Sequence, residues 1–223
     1  MRIAFLGDSL TWGGYGGDFV AQIARRRPQH EIINAGEAGN TVVNLLRRLD
    51  GALGRGPDGV FVMAGGNDAI SYIYPAAREY YKNAQSIREG YVSPDRFARA
   101  YHDLLTRIQL EHRLAWVGLP PVERNPELVE VLKQYNALAS EAAKSLNVPV
   151  IDLATHFIPE HVPQRPPVTL ADITRIGERV RDGWRDYETD RQAGGFTYTF
   201  DGAHLTPESA AQFAERIIEF LEL

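Results

Sequence analysis

Five short apolar runs recur along this chain with longer amphipathic stretches between them, and that alternation constrains the fold more than any other feature. The runs cover residues 3–6, 32–35, 60–64, 115–119 and 148–153. Most are continuous rather than alternating, which suits strands buried on both faces of a parallel sheet. Helical periodicity fills the intervals at 18–27, 41–53, 94–112, 126–146 and 207–221. Strand and helix in alternation predict an α/β fold, a three-layer αβα sandwich with about five parallel strands. Ser93-Pro94 and Thr206-Pro207 each set a capping hydroxyl before a proline at the first helical position, which marks two helix starts.

The chain's 223 residues, 44% of them hydrophobic, suffice for one large core, and a single domain over 1–223 is the expectation. Two insertions break the alternation, around 70–92 and 157–200, and both are expected beside the edge where ligands gather. The first is rich in tyrosine. In the second, Leu170, Ile173, Ile176, Val180, Trp184 and Tyr187 keep a three-four spacing that predicts one apolar helical face, and Thr169 with Asp172 resembles a capping box. Such a helix either packs on the domain or serves as a lid or a contact within a homo-oligomer.

A formal charge of -5 offers no basic field for nucleic acid, and Arg25, Arg26 and Arg27 read as the solvated end of a helix. With no cysteine, thiolate metal sites, disulfides and a cysteine nucleophile are excluded. His30, His102, His112, His156 and His161 lack ligand spacing, so no metal and no cofactor are expected. The run Gly13-Gly14-Tyr15-Gly16-Gly17 satisfies neither dinucleotide nor P-loop patterns, because Phe19 stands where the third glycine is needed and no lysine follows. No apolar run reaches the roughly 20 residues of a membrane span, and the chain opens directly on a strand, so a cytoplasmic protein is the expectation.

The chemistry centres on Ser9, which follows the first strand within Gly7-Asp8-Ser9-Leu10. A serine hydroxyl is a weak nucleophile that needs a base in hydrogen-bond reach and donors for the oxyanion it creates. Asp201 and His204 stand three apart just before the last helix, so one turn can aim the carboxylate at one imidazole nitrogen and leave the other for Ser9. After the second strand, Gly39 can present an unobstructed backbone N–H; after the third, Gly65-Gly66-Asn67-Asp68 offers a close backbone and the Asn67 amide. Taken singly, each glycine cluster also reads as a tight strand-to-helix turn. Thr11 replaces the final glycine of the G-x-S-x-G elbow, which disfavours an ordinary α/β-hydrolase. Asp8, Trp12, Tyr72 and Tyr74 are the candidates for substrate contact, with packing as the alternative for Trp12 and the tyrosines. Arg78, Lys82 and Arg88 could meet an anionic group or form a solvated helix face.

These four blocks, in this order and at these strand ends, make the chain resemble the GDSL esterases of the SGNH hydrolase superfamily. The serine block is Gly7-Asp8-Ser9-Leu10, the glycine block Gly39, the G-x-N-D block Gly65-Gly66-Asn67-Asp68 and the D-x-x-H block Asp201-Gly202-Ala203-His204. The resemblance implies a flavodoxin-like sandwich, Ser9 as nucleophile, His204 as base and acid, Asp201 as its orienter, and an oxyanion hole from Ser9 N–H, Gly39 N–H and the Asn67 side chain. It implies a small-molecule ester substrate, of short acyl chain, with no cofactor. Asn40 departs from the aspartate frequent after the family's glycine, which touches hydrogen bonding in the turn and spares the backbone donor. The same parts could run O-acyl transfer or carbohydrate O-deacetylation, and a silent carbohydrate- or partner-binding module is the non-enzymatic alternative. The ester itself, whether lysophospholipid, acetylated sugar, thioester or aryl ester, is left open.

Overall fold

A computed structural model describes residues 1–223. Five strands, β1 (Arg2–Gly7), β2 (Glu31–Gly36), β3 (Gly59–Met63), β4 (Leu114–Leu119) and β5 (Val150–Asp152), form one sheet in the order β2-β1-β3-β4-β5. Every pairing is parallel. The helices are α1 (Ser9–Trp12), α2 (Phe19–Arg26), α3 (Val42–Leu53), α4 (Gly66–Ile73), α5 (Arg78–Asn83) and α6 (Pro94–Leu110). They continue with α7 (Pro126–Ser145), α8 (Ala154–Phe157), α9 (Leu170–Arg181), α10 (Tyr187–Gly194) and α11 (Pro207–Phe220).

The apolar runs are continuous because each strand is covered twice. Ala4, Leu6, Val60 and Val62 pack with α3, α6 and α7, while Ile3, Phe5, Phe61 and Met63 pack with α2 and α11. This makes a three-layer αβα sandwich around a parallel sheet, as the alternation predicts. Both predicted caps form: Ser93 accepts from Arg96 N at 3.3 Å and Thr206 from Ser209 N at 3.1 Å.

Register decides where the site lies. Gly7 pairs with Gly36 on one side and Met63 on the other, and Met63 pairs with Gly118, so the carboxyl ends of β1 to β4 finish level. The chain leaves β1 for β2 on one flank and then crosses to β3 on the other. The end of β1 is therefore the topological switch point, where neighbouring loops part and a crevice opens.

The two insertions meet over this rim. The 70–92 segment continues α4 through a 3-10 turn (Pro75–Ala77) into α5. In the second, the predicted capping box forms: Thr169 Oγ1 accepts from Asp172 N and the Asp172 carboxylate accepts from Thr169 N. The single apolar helix expected through Tyr187 is interrupted. The α9 helix ends at Arg181, Gly183 turns the chain with φ +88, and Trp184 and Tyr187 fall in the turn and in α10. Glycine stops the helix because that left-handed conformation is open to it at little cost.

Candidate active site

The serine turn is built by its neighbours. Gly7 lets the strand end press against Thr11 and the Met63 carbonyl, where a Cβ would collide. Asp8 caps α1, its Oδ1 accepting from Leu10 N at 3.0 Å, and Gly13 closes the turn at φ +74. Ser9 thus occupies the first position of a helical turn, where its N–H has no intrahelical partner.

The carboxylate of Asp201 folds its own loop. Oδ1 accepts from Ala203 N at 2.9 Å and His204 N at 2.8 Å, while Oδ2 takes His204 Nδ1 at 2.7 Å. Nε2 of the same ring lies 2.9 Å from Ser9 Oγ. With Asp201 ionised, Nδ1 carries a hydrogen and Nε2 is left as acceptor for the hydroxyl. Behind the loop, buried Glu123 accepts from Thr197 N, Tyr198 N, Thr199 N and Thr199 Oγ1, four donors that fix the approach to Asp201.

Electrostatics follow the same contacts. Burial alone would lower the His204 imidazole, yet the Asp201 charge, its hydrogen bond and the charge of Asp8 together hold it above its ordinary value. Burial tends to raise Asp201, and the His204 charge with three hydrogen bonds outweighs it, leaving the carboxyl below its usual range. Asp8 is pushed up to about 6 by burial, partly offset by its hydrogen bond from Leu10 and by the His204 charge.

The remaining donors arrive from β2 and β3. Gly39 adopts φ +77 and its N–H makes no hydrogen bond within the chain. Asn67, on the first turn of α4, donates through Nδ2 to Asp8 Oδ2 at 3.1 Å and accepts at Oδ1 from Tyr81 OH at 2.8 Å. Asn40, the residue that departs from the family pattern, accepts from Arg48 Nε at 2.7 Å, and Arg48 also donates to Gly7 O, tying the glycine turn to β1. Buried Asp68 accepts from Val42 N at the start of α3, and burial raises it to about 8.

Ser9, Gly39, Asn67, Asp201 and His204 all line one cavity of about 400 Å³. Asp8 lines it too, with its carboxylate accepting from Leu10 N and Asn67 Nδ2. Trp12, Tyr72 and Tyr74, the other candidates for substrate contact, do not line this cavity. After Gly13 reverses the chain, Trp12 lies over Gly14 and packs edge-on against Tyr15, which itself meets His204 edge-on at 5.2 Å. Tyr72 packs against Tyr91 and Tyr135, and buried Tyr74 donates to Asn125 Oδ1, the cap of α7.

The cavity wall instead takes Tyr15, Tyr80, Tyr81 and Phe200, with Ile173 and Ile176 of α9 and Arg124. Sequence reasoning missed Tyr15 because its glycine-rich run was tested only as a nucleotide motif. The α9 side chains were visible as an apolar face, for which packing on the domain, a lid and an oligomer contact were all open readings. Arg78, Lys82 and Arg88 do not line the cavity.

Fold and site together define the class, an α/β enzyme with a serine–histidine–aspartate array at the carboxyl rim of a parallel sheet. The chain belongs to the GDSL-like lipase/acylhydrolase family, whose family model matches residues 5–211, and it is a carboxylic ester hydrolase. Among solved structures it is similar to an acetyl xylan esterase, AlAXEase, at 18% identity and TM-score 0.68, with 98% of each chain covered. It is also similar to a lipase/acylhydrolase from Enterococcus faecalis at 21% identity and TM-score 0.63, covering 98% of this chain and 93% of that one. A catalytic mutant of an acetylxylan esterase from Geobacillus stearothermophilus shares 16% identity at TM-score 0.67, over 99% and 93% of the two chains. At such identities the likeness shows the fold. No curated protein matches the chain's sequence. No helix is long and apolar enough to cross a membrane.

Proposed function

We propose that the chain is a serine esterase acting through an acyl-enzyme on Ser9. The observation that carries this reading is the unbroken line from Asp201 to His204 to Ser9, 2.7 and 2.9 Å per step, opening into the cavity. His204 Nε2 takes the hydroxyl proton as Ser9 Oγ attacks the ester carbonyl, and Asp201 steadies the imidazolium that forms. The oxyanion is met by Ser9 N–H, Gly39 N–H and the Asn67 Nδ2 hydrogen that Asp8 does not use. His204 then gives its proton to the departing alcohol, and a water activated by the same nitrogen attacks the acyl carbonyl and frees Ser9.

Short acyl esters are the proposed working substrates. Acetylated sugars are a second reading, favoured by the rings of Tyr15, Tyr80 and Phe200 on the wall and by the neighbours named as acetyl xylan esterases. A chain-length series of p-nitrophenyl esters run beside acetylated xylo-oligosaccharides separates the two. Added alcohol or sugar acceptors would divert product to new esters if acyl transfer outruns hydrolysis.

Asn67→Ala is the sharpest local test of the oxyanion assignment. Loss of one donor is expected to lower kcat on the order of a hundredfold to a thousandfold with little change in KM. A near-normal kcat for p-nitrophenyl acetate would show that the amide does not meet the developing charge.

A further inference from the structure

Gly39 and Asn67 reach the rim from different strands, yet both are backed by one stretch of the tyrosine-rich insertion. Tyr81, 1% exposed as a residue, donates through its hydroxyl to Asn67 Oδ1 at 2.8 Å. The buried side chain of Gln85 brackets Gly39 by both neighbours: Nε2 donates to Ala38 O at 3.2 Å and Oε1 accepts from Asn40 Nδ2 at 3.2 Å. The same Nε2 donates to Tyr80 OH at 3.0 Å, and a Cβ at residue 39 would collide with Tyr80 OH and Gln85 Nε2.

We propose that Tyr81 and Gln85 are positioning residues that set the oxyanion hole, Tyr81 through the Asn67 amide and Gln85 through the Gly39 turn. This rests on the reading of Ser9 as nucleophile. A carboxamide is nearly symmetric in shape, so an unrestrained Asn67 could present oxygen where the oxyanion needs a donor. Ionised Asp8 only accepts, which turns Nδ2 toward it, and Tyr81 satisfies the opposite end by donating. Burial holds the Tyr81 phenol well above its ordinary range, so it keeps the hydrogen this contact requires. With both ends pinned, the second Nδ2 hydrogen is left for the oxyanion. Preorganised donors are worth most when they need not reorient during the reaction. The gap this fills is why a tyrosine-rich insertion sits at the catalytic edge without supplying a reacting group.

The experiment is a double-mutant cycle on p-nitrophenyl acetate turnover. Tyr81→Phe, which keeps the ring, is expected to lower kcat about tenfold with KM nearly unchanged, and to cost nothing further on an Asn67→Ala background. Gln85→Met is expected to lower kcat by a similar factor and to keep its full effect on that background, because it acts through Gly39. Unchanged kcat in both variants would overturn the proposal, as would a Tyr81→Phe loss that persists undiminished without the Asn67 amide. Should Tyr81→Phe fold poorly by thermal unfolding, the Gln85→Met arm decides alone. Ser9→Ala, assayed alongside, separates the two failures. If it remains active the esterase reading falls and takes the clamp with it; if it is inactive and Tyr81→Phe and Asn67→Ala are additive, only the clamp falls.

Discussion

Ser9→Ala is expected to reduce hydrolysis of p-nitrophenyl acetate on the order of a millionfold, to a residue of catalysis that binding and oxyanion donors alone can give. The fold should be unaffected. Ser9 is 8% exposed, stands on the first turn of α1, and its hydroxyl bonds only His204 Nε2, so the change removes one hydrogen bond and opens no core cavity. Turnover and the thermal unfolding midpoint, measured on the same preparation, check both parts. Undiminished turnover would remove Ser9 from the reaction, and a collapsed midpoint would make the loss uninformative about chemistry.

Asp201→Asn carries the next largest effect, a loss of kcat on the order of a thousandfold to ten-thousandfold near neutral pH. An amide at this position can donate to Nδ1, which moves the ring hydrogen to Nε2 and points a donor where Ser9 needs an acceptor. The pH profile provides an independent sign. In the parent enzyme the imidazole is held above its ordinary value, so kcat/KM should rise with pH through an acid limb lying above the usual histidine range of about 6.5. A protonated His204 cannot take the serine proton, so activity is lost as pH falls. Asp8, raised to about 6, is the next group to protonate on that limb and loosens the hold on the Asn67 amide. Without the Asp201 charge, burial is left to push the imidazole down, and the limb should move to lower pH. A limb that stays in place would mean that another group governs it.

Much of this molecule was legible before any coordinates. β1 to β4 and the helices α2, α3, α6, α7 and α11 lie within one or two residues of the apolar runs and periodic stretches, because double-sided burial leaves a strong pattern. β5 is shorter than its run, for it is an edge strand with only Val150–Asp152 paired. Ser9, Gly39 and Asn67 were readable because each closely follows a strand that the topology brings to one rim, while Asp201 and His204 were readable from their spacing just before α11. The substrate wall was not. Nearness in sequence placed Trp12 beside Ser9, but the left-handed Gly13 folds the chain back and sets Tyr15 against the imidazole instead. Among the clustered tyrosines, which ones face the cavity depends on where α4 ends and the chain turns, and no pattern in composition records that. The Leu170 to Tyr187 face was visible as one stripe, while the break at Gly183 depends on a backbone conformation that a glycine permits without announcing.

The most direct measurement is covalent: incubation with an organophosphonate ester, followed by mass mapping of the adduct and assay of residual hydrolysis. An activated serine should take up one label per chain, on Ser9, with activity falling in proportion. Full inactivation with the label on another residue, or no labelling of an enzyme that turns over ester, would contradict an acyl-enzyme at Ser9.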